Sequence, residues 1–171
     1  AAAYFTSAAS KANASDAEKA RQKASAIRSF SNQFESGNNA YGRGDWSGAI
    51  SAYKKARRTD KKVSSKGHFQ TKLATQLTNA YGKQGLAQLR SGNYESAYRT
   101  LRKGQRYDSN NSTLRTLDEK LSNKARSLYI KAANKRKSDP GTARSLCNTI
   151  KSMVPPSNST YRKAQQLLNE L

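Results

Sequence analysis

Gly44-Asp45-Trp46-Ser47-Gly48-Ala49-Ile50-Ser51-Ala52-Tyr53 and Gly92-Asn93-Tyr94-Glu95-Ser96-Ala97-Tyr98-Arg99-Thr100-Leu101 carry the same punctuation. In each, a glycine precedes a capping Asp or Asn, an aromatic, an alanine three residues on and a large apolar residue four beyond that. Glycine takes the left-handed turn that stops one helix, and the side-chain oxygen of the next residue caps the open amides of the following one. The aromatic, alanine and large apolar positions then share one face of the new helix, where alanine lets a neighbouring helix come close. Each stretch is therefore expected to be the turn of a helical hairpin. A third copy begins at Asp139-Pro140-Gly141-Thr142-Ala143, a cap followed by a first-turn proline, and Ala143, Cys147 and Ile150 repeat the apolar offsets before Pro155 ends the helix.

This pattern resembles the tetratricopeptide repeat (TPR) family, a 34-residue helix pair with Gly, Asp, aromatic, Ala, aromatic, Ala and Pro at fixed steps. The first copy matches through Gly37, Gly44, Asp45, Trp46, Ala49, Tyr53 and Ala56, and the second through Tyr81, Gly85, Gly92, Asn93, Tyr94, Ala97 and Leu101. Two departures accompany the match. The anchors Trp46, Tyr94 and Pro140 lie 48 and 46 residues apart, and Lys61 and Ser109 stand where the family has its terminal proline. The resemblance, which covers roughly Ser29 to Pro155, thus implies an all-α, right-handed αα-hairpin solenoid with lengthened helices. Its expected parts are a frayed segment over 1–14, then a repeat domain over 15–171. The domain holds hairpins over 29–63, 66–109 and 112–155 and a capping helix over 159–171. The ending, with Tyr129, Asp139-Pro140, Pro155-Pro156 and Tyr161-Arg162-Lys163-Ala164, looks like the tails of bacterial proteins that also carry a forkhead-associated domain.

Helical periodicity fills in the rest. Ser15-Asp16-Ala17-Glu18 reads as a capping box, and Ala20, Ala24, Ile27, Phe30 and Phe34 follow at steps of four and three, which predicts a helix from Asp16 toward Tyr41. Phe69, Leu73, Leu77, Ala80 and Tyr81 keep that spacing up to Leu89, and Leu114, Leu117, Leu121, Leu128 and Ala132 keep it after Ser112. Tyr161, Ala164, Leu167, Leu168 and Leu171 form one side of a closing helix. Only 35% of residues are apolar and mean hydropathy is −0.96, so the core has to be thin and alanine-rich, as stacked helices allow.

Charge limits the partners. With 32 Lys and Arg against 11 acidic residues the net charge is +21, which favours polyanions: acidic protein, nucleic acid, anionic lipid or cell-wall polymer. Lys54, Lys55, Arg57, Arg58, Lys61 and Lys62 stand together, opposed only by Asp60, and predict an outward basic stripe on the helix after Trp46. Arg99, Arg102, Lys103 and Arg106 lie off the apolar face of the helix after Tyr94 and are read as its continuation.

Chemistry is sparse. His68 has no Cys, Asp or Glu at ligand spacing, Cys147 occupies a core offset, and the acids are scattered, so no metal, cofactor, small-molecule substrate or catalytic site is expected. No apolar run approaches the roughly 18 residues a membrane helix needs, and a single cysteine suits a reducing compartment. The chain starts at Ala1 without methionine or a signal pattern. It reads as part of a longer protein, cytoplasmic, or periplasmic if a preceding segment anchors it.

In the TPR family the first helices of successive hairpins line a groove for peptides. The resemblance carries those positions onto Phe34, Asn38 and Tyr41, then Lys83, Leu86, Leu89 and Arg90, then Leu128, Lys131, Lys135 and Arg136. Asn38 fits the family's carboxylate clamp, but Phe34 and Gly82 do not, so chaperone-tail recognition is not implied. For Phe34 and Tyr41, packing between adjacent helices is the competing reading. The expected function is a non-catalytic scaffold that docks an acidic peptide or protein in a bacterial multiprotein assembly. The alternative is binding of nucleic acid or another polyanion along the basic stripe.

Overall fold

The computed structural model describes residues 1–11, 13–64 and 66–171. Among these the chain is all-α: α1 (Ala2–Lys11), α2 (Ala14–Gly42), α3 (Trp46–Val63), α4 (Gln70–Arg90), α5 (Tyr94–Gln105), α6 (Ser112–Lys135), α7 (Pro140–Met153) and α8 (Ser159–Glu170). It divides into two compact units, Ala1–Ala80 and Tyr81–Leu171, and α4 contributes to both. No helix among the described residues is long and apolar enough to cross a membrane.

The repeated punctuation produces repeated turns. Gly44 and Gly92 have φ of +77° and +78°, the left-handed region that an L side chain rarely adopts. Gly44 N donates to Tyr41 O and Asp45 N to Ala40 O, at 3.0 and 2.9 Å. The same bonds recur as Gly92 N to Leu89 O and Asn93 N to Gln88 O, at 3.1 and 2.9 Å. Both close the preceding helix by satisfying its last carbonyls. The next helix starts differently in the two copies: Asp45 Oδ1 accepts from Gly48 N at 2.8 Å, whereas the Asn93 side chain makes no cap bond.

In the first unit α2 and α3 run antiparallel. Thr59 Oγ1 donates to Gln33 Oε1 at 2.8 Å and Tyr53 OH to Asn38 Oδ1 at 2.9 Å, so positions rise on one helix as they fall on the other. The Tyr53 ring lies against the backbone at Gly37, where a Cβ would stand 2.5 Å from Tyr53 Cε1. Gly37→Val is therefore expected to lower stability by about 1–3 kcal/mol, because overpacking outweighs the gain in helix propensity. Gly42→Ala, where a Cβ meets nothing within 4 Å, is expected to be neutral or slightly stabilising. Urea unfolding of the two variants measures the contrast.

The segment 1–14, expected to be frayed, is helical from Ala2 to Lys11 and packs on α2. Ala2, Phe5, Ala8 and Ala9 recur at steps of three and four and turn inward, while Arg28 Nη2 donates to Thr6 Oγ1 at 3.1 Å. Small residues suffice to dock the segment where helices approach closely. The cap of α2 is also earlier than Ser15: Asn13 Oδ1 accepts from Asp16 N at 3.0 Å, and Asn13 Nδ2 donates to Asp16 Oδ2 at 3.1 Å.

Asp60 joins α3 to α4. Its side chain is only 2% exposed and accepts from His68 N at 3.2 Å, Phe69 N at 3.1 Å and Gln70 Nε2 at 2.6 Å. It therefore satisfies the two amides just ahead of α4 and the side chain of its first residue, and positions Phe69, whose ring stacks on Phe30 at 4.9 Å. Asp60→Ala leaves those donors without their acceptor and is expected to cost about 1–3 kcal/mol, with accelerated amide exchange over 68–73 as the local readout.

In the second unit the close approaches come at glycines. A Cβ on Gly82 would stand 2.6 Å from Thr113 Cγ2, and one on Gly85 would stand 2.3 Å from Leu117 Cδ2. The two approaches advance in the same direction along both helices, so α4 and α6 lie side by side and parallel. Asn158 Nδ2 donates to Ser122 Oγ at 3.2 Å and Arg136 pairs with Glu170 at 3.2 Å, which places α8 parallel to α6 by the same argument. Both α5 and α7 pack on α6 and on each other. Leu101, Leu114, Leu117, Leu121, Ile150 and Met153 are buried in this unit. Asp139 Oδ1 accepts from Thr142 N at 3.0 Å ahead of Pro140, and its hydrogen bonds to Thr142 hold the carboxyl below its usual range.

Candidate docking cleft

Within the second unit a cleft of about 510 Å³ opens past the closest approach of α4 and α6. The last turn of α4 supplies Leu86, Leu89 and Arg90, Tyr94 stands at the start of α5, and Lys120, Asn123, Lys124 and Ser127 come from α6. The residues from α6 recur at steps of three and four, so they form one stripe beside the buried Leu117, Leu121, Ala125 and Leu128. Leu86 and Leu89 are half-buried and share the facing side. The Lys124 ammonium sits 5.5 Å above the Tyr94 ring centre, within cation–π range. The α4 side of the cleft carries the two leucines with Arg90 at its end, the α6 side carries Lys120 and Lys124, and the described lining holds three cations and no acid.

Of the positions the repeat register assigned to a groove, Leu86, Leu89 and Arg90 come together here. Lys83 is exposed one turn earlier on α4 and is not part of the lining. Leu128 is corrected: at 7% exposed it belongs to the core of α6, because it continues the apolar face of Leu114, Leu117 and Leu121. Lys131 and Lys135 are exposed farther along α6, where they extend the stripe of Lys120 and Lys124. Arg136, at the end of α6, is engaged with Glu170.

The three positions in the first unit take part in the packing of the α2–α3 pair. Phe34 stacks on Phe30 at 6.0 Å and tilts against Tyr53 at 5.9 Å, with the Lys72 ammonium 5.1 Å from its ring centre. Tyr41 meets Trp46 edge to face at 5.0 Å, and Asn38 holds the Tyr53 hydroxyl. Phe34 and Tyr41 are half-buried and Asn38 is exposed.

The basic stripe is laid out separately in each unit. On α3, Lys55, Arg58, Lys61 and Lys62 are exposed opposite the buried Ala49, Tyr53 and Ala56, while Lys54 and Arg57 are half-buried. Arg99, Arg102 and Lys103 on α5 and Arg106 just after it are exposed, but Arg99 pairs with Glu95 and Arg102 Nη1 donates to Gln105 Oε1 at 3.2 Å. Arg102 also acts on Asp118: burial and then Glu119 push that carboxyl up, and Arg102 draws it back. The α5 cations are in part compensated locally.

Among the described residues, no group of three His, Cys, Asp or Glu stands together as a metal site would require. Cys147 is fully buried, and burial pushes its thiol up, away from the reactive thiolate. Tyr94, Lys120, Asn123, Lys124 and Ser127 were not anticipated as site residues. Their signal was present in the spacing of Lys120, Lys124, Ser127 and Lys131, which puts polar side chains on one face of a helix whose other face is apolar. Compared with protein-family models, curated proteins and solved structures, the chain matches none of them.

Proposed function

We propose that this chain is a TPR-like array of helical hairpins, a right-handed αα-hairpin solenoid, that docks an acidic peptide or protein without catalysing a reaction, as one component of a bacterial multiprotein assembly. The parallel placement of α4, α6 and α8 supports the array, since in stacked hairpins the first helix of each pair lies beside the first helix of the next. One observation carries the function: the cleft sets Arg90, Lys120 and Lys124 against Leu86, Leu89 and Tyr94, with no acid in its described lining. Cations at the mouth steer an acidic partner and fix its register, and the leucines supply the apolar area that holds it.

Nucleic acid is the alternative occupant of so basic a chain, and the two readings separate by experiment. A fluorescein-labelled peptide rich in Glu and Leu is expected to bind in 0.15 M salt, whereas duplex DNA, if held only by phosphate contacts, weakens with a log–log salt slope of about −0.9 per contact. Tight, salt-resistant binding of the duplex together with no binding of the peptide removes the reading.

A further inference from the structure

Given the docking reading above, on which this step rests, we infer that the cleft selects an extended segment in which acidic and apolar residues alternate. The two walls carry different chemistry. Leu86 and Leu89 come from α4, with Arg90 at the end of that helix, and Lys120 and Lys124 come from α6 across the same opening. A strand presents alternate side chains to opposite sides, so a chain lying between the walls turns odd positions to one and even positions to the other.

Spacing agrees with that arrangement. Lys120 and Lys124 are one helical turn apart, about 6 Å along the α6 axis, and Leu86 and Leu89 are about 4.5 Å apart along α4. Positions i and i+2 of an extended chain are about 6.6 Å apart. Two carboxylates flanking one apolar residue therefore reach both lysines, while the residue between them points to the leucine wall. A helical ligand places i and i+4 on one side and turns i+1 and i+2 away, so it presents its acids and apolar residues to one wall or the other but not in alternation. Asn123 and Ser127 lie on the same stripe as the lysines, where their side chains can bond the peptide groups that an extended ligand leaves open. Lys131 and Lys135 repeat the four-residue step farther along α6, outside the cleft lining, and offer a longer acidic ligand a second pair of cations.

The test uses the full chain and three labelled five-residue peptides, read by fluorescence anisotropy at constant salt. One alternates as Glu-Leu-Glu-Leu-Glu; the second has the same composition in blocks, Glu-Glu-Glu-Leu-Leu; the third replaces both leucines by glycine. The alternating peptide is expected to bind roughly tenfold tighter than the block isomer, and more than that over the glycine peptide, because its apolar side chains alone reach the leucine wall. Leu86→Ser with Leu89→Ser should erase that preference, so that the alternating and block peptides bind alike, with an unaltered circular-dichroism spectrum as the check on folding. Equal affinities for alternating and block peptides overturn this inference and leave the charge-driven docking in place. Failure of all three to bind overturns the docking reading itself.

Discussion

Tyr53→Ala is expected to destabilise the first unit by about 3–5 kcal/mol, seen as a fall in melting temperature on the order of 10 °C. The size follows from what the ring does. Tyr53 is 1% exposed, lies on the backbone of α2 at Gly37 and meets Phe34, so its removal opens a cavity between two helices that form one hairpin. Neighbours cannot collapse into that space, because the residues flanking it on α3, Ala49, Ala52 and Ala56, are too small to fill it.

Tyr53→Phe separates the ring from its hydroxyl. Only the bond to Asn38 Oδ1 is lost, and about 1 kcal/mol is expected. The same hydroxyl gives a pH signature. Burial pushes the Tyr53 phenol above its ordinary 10.0, and repulsion from Tyr41 adds to the rise. From pH 10 upward the unfolded chain gives up this proton before the folded chain does, so stability falls as pH rises through that range. Tyr53→Phe removes this contribution, and its stability should decline less steeply above pH 10. Equal slopes for the two proteins in alkaline urea titrations overturn the assignment.

How far the fold could be read in advance depended on the range of the interactions that set it. Gly44, Asp45, Gly92 and Asp139 act through bonds within five residues, so their turns and helix starts were visible in the linear order. Asp60 was not, since its partners arrive eight to ten residues later, across a loop with Gly67 at φ +66°, and until then it looks like a lone acid among lysines. Leu128 shows a conflict between two kinds of reading. Repeat register sent it to a groove, whereas its step from Leu114, Leu117 and Leu121 already marked the core, and local periodicity prevailed. Lys120 and Lys124 stand on α6 ahead of the Lys131 and Lys135 to which the repeat register points, and Tyr94, a repeat marker in the linear order, comes to lie beneath Lys124 only in the folded chain.

Reversing the two lysines of the cleft, Lys120→Glu with Lys124→Glu, should weaken acidic-peptide binding on the order of a hundredfold. Each reversal removes a partly exposed ion pair and sets a like charge in its place, together about 2–3 kcal/mol for two sites. Net charge alone also changes, and the chain is so basic that a general loss of attraction has to be separated from a local one. Lys55→Glu with Lys62→Glu makes the same change in net charge on the exposed side of α3. If a single cleft does the binding, that control shifts affinity only about threefold, chiefly through the association rate, while the cleft variant also shortens the lifetime of the complex. Comparable losses in the two variants would mean that the peptide follows the overall field of the protein, and the walls between α4 and α6 would then have no part in choosing it.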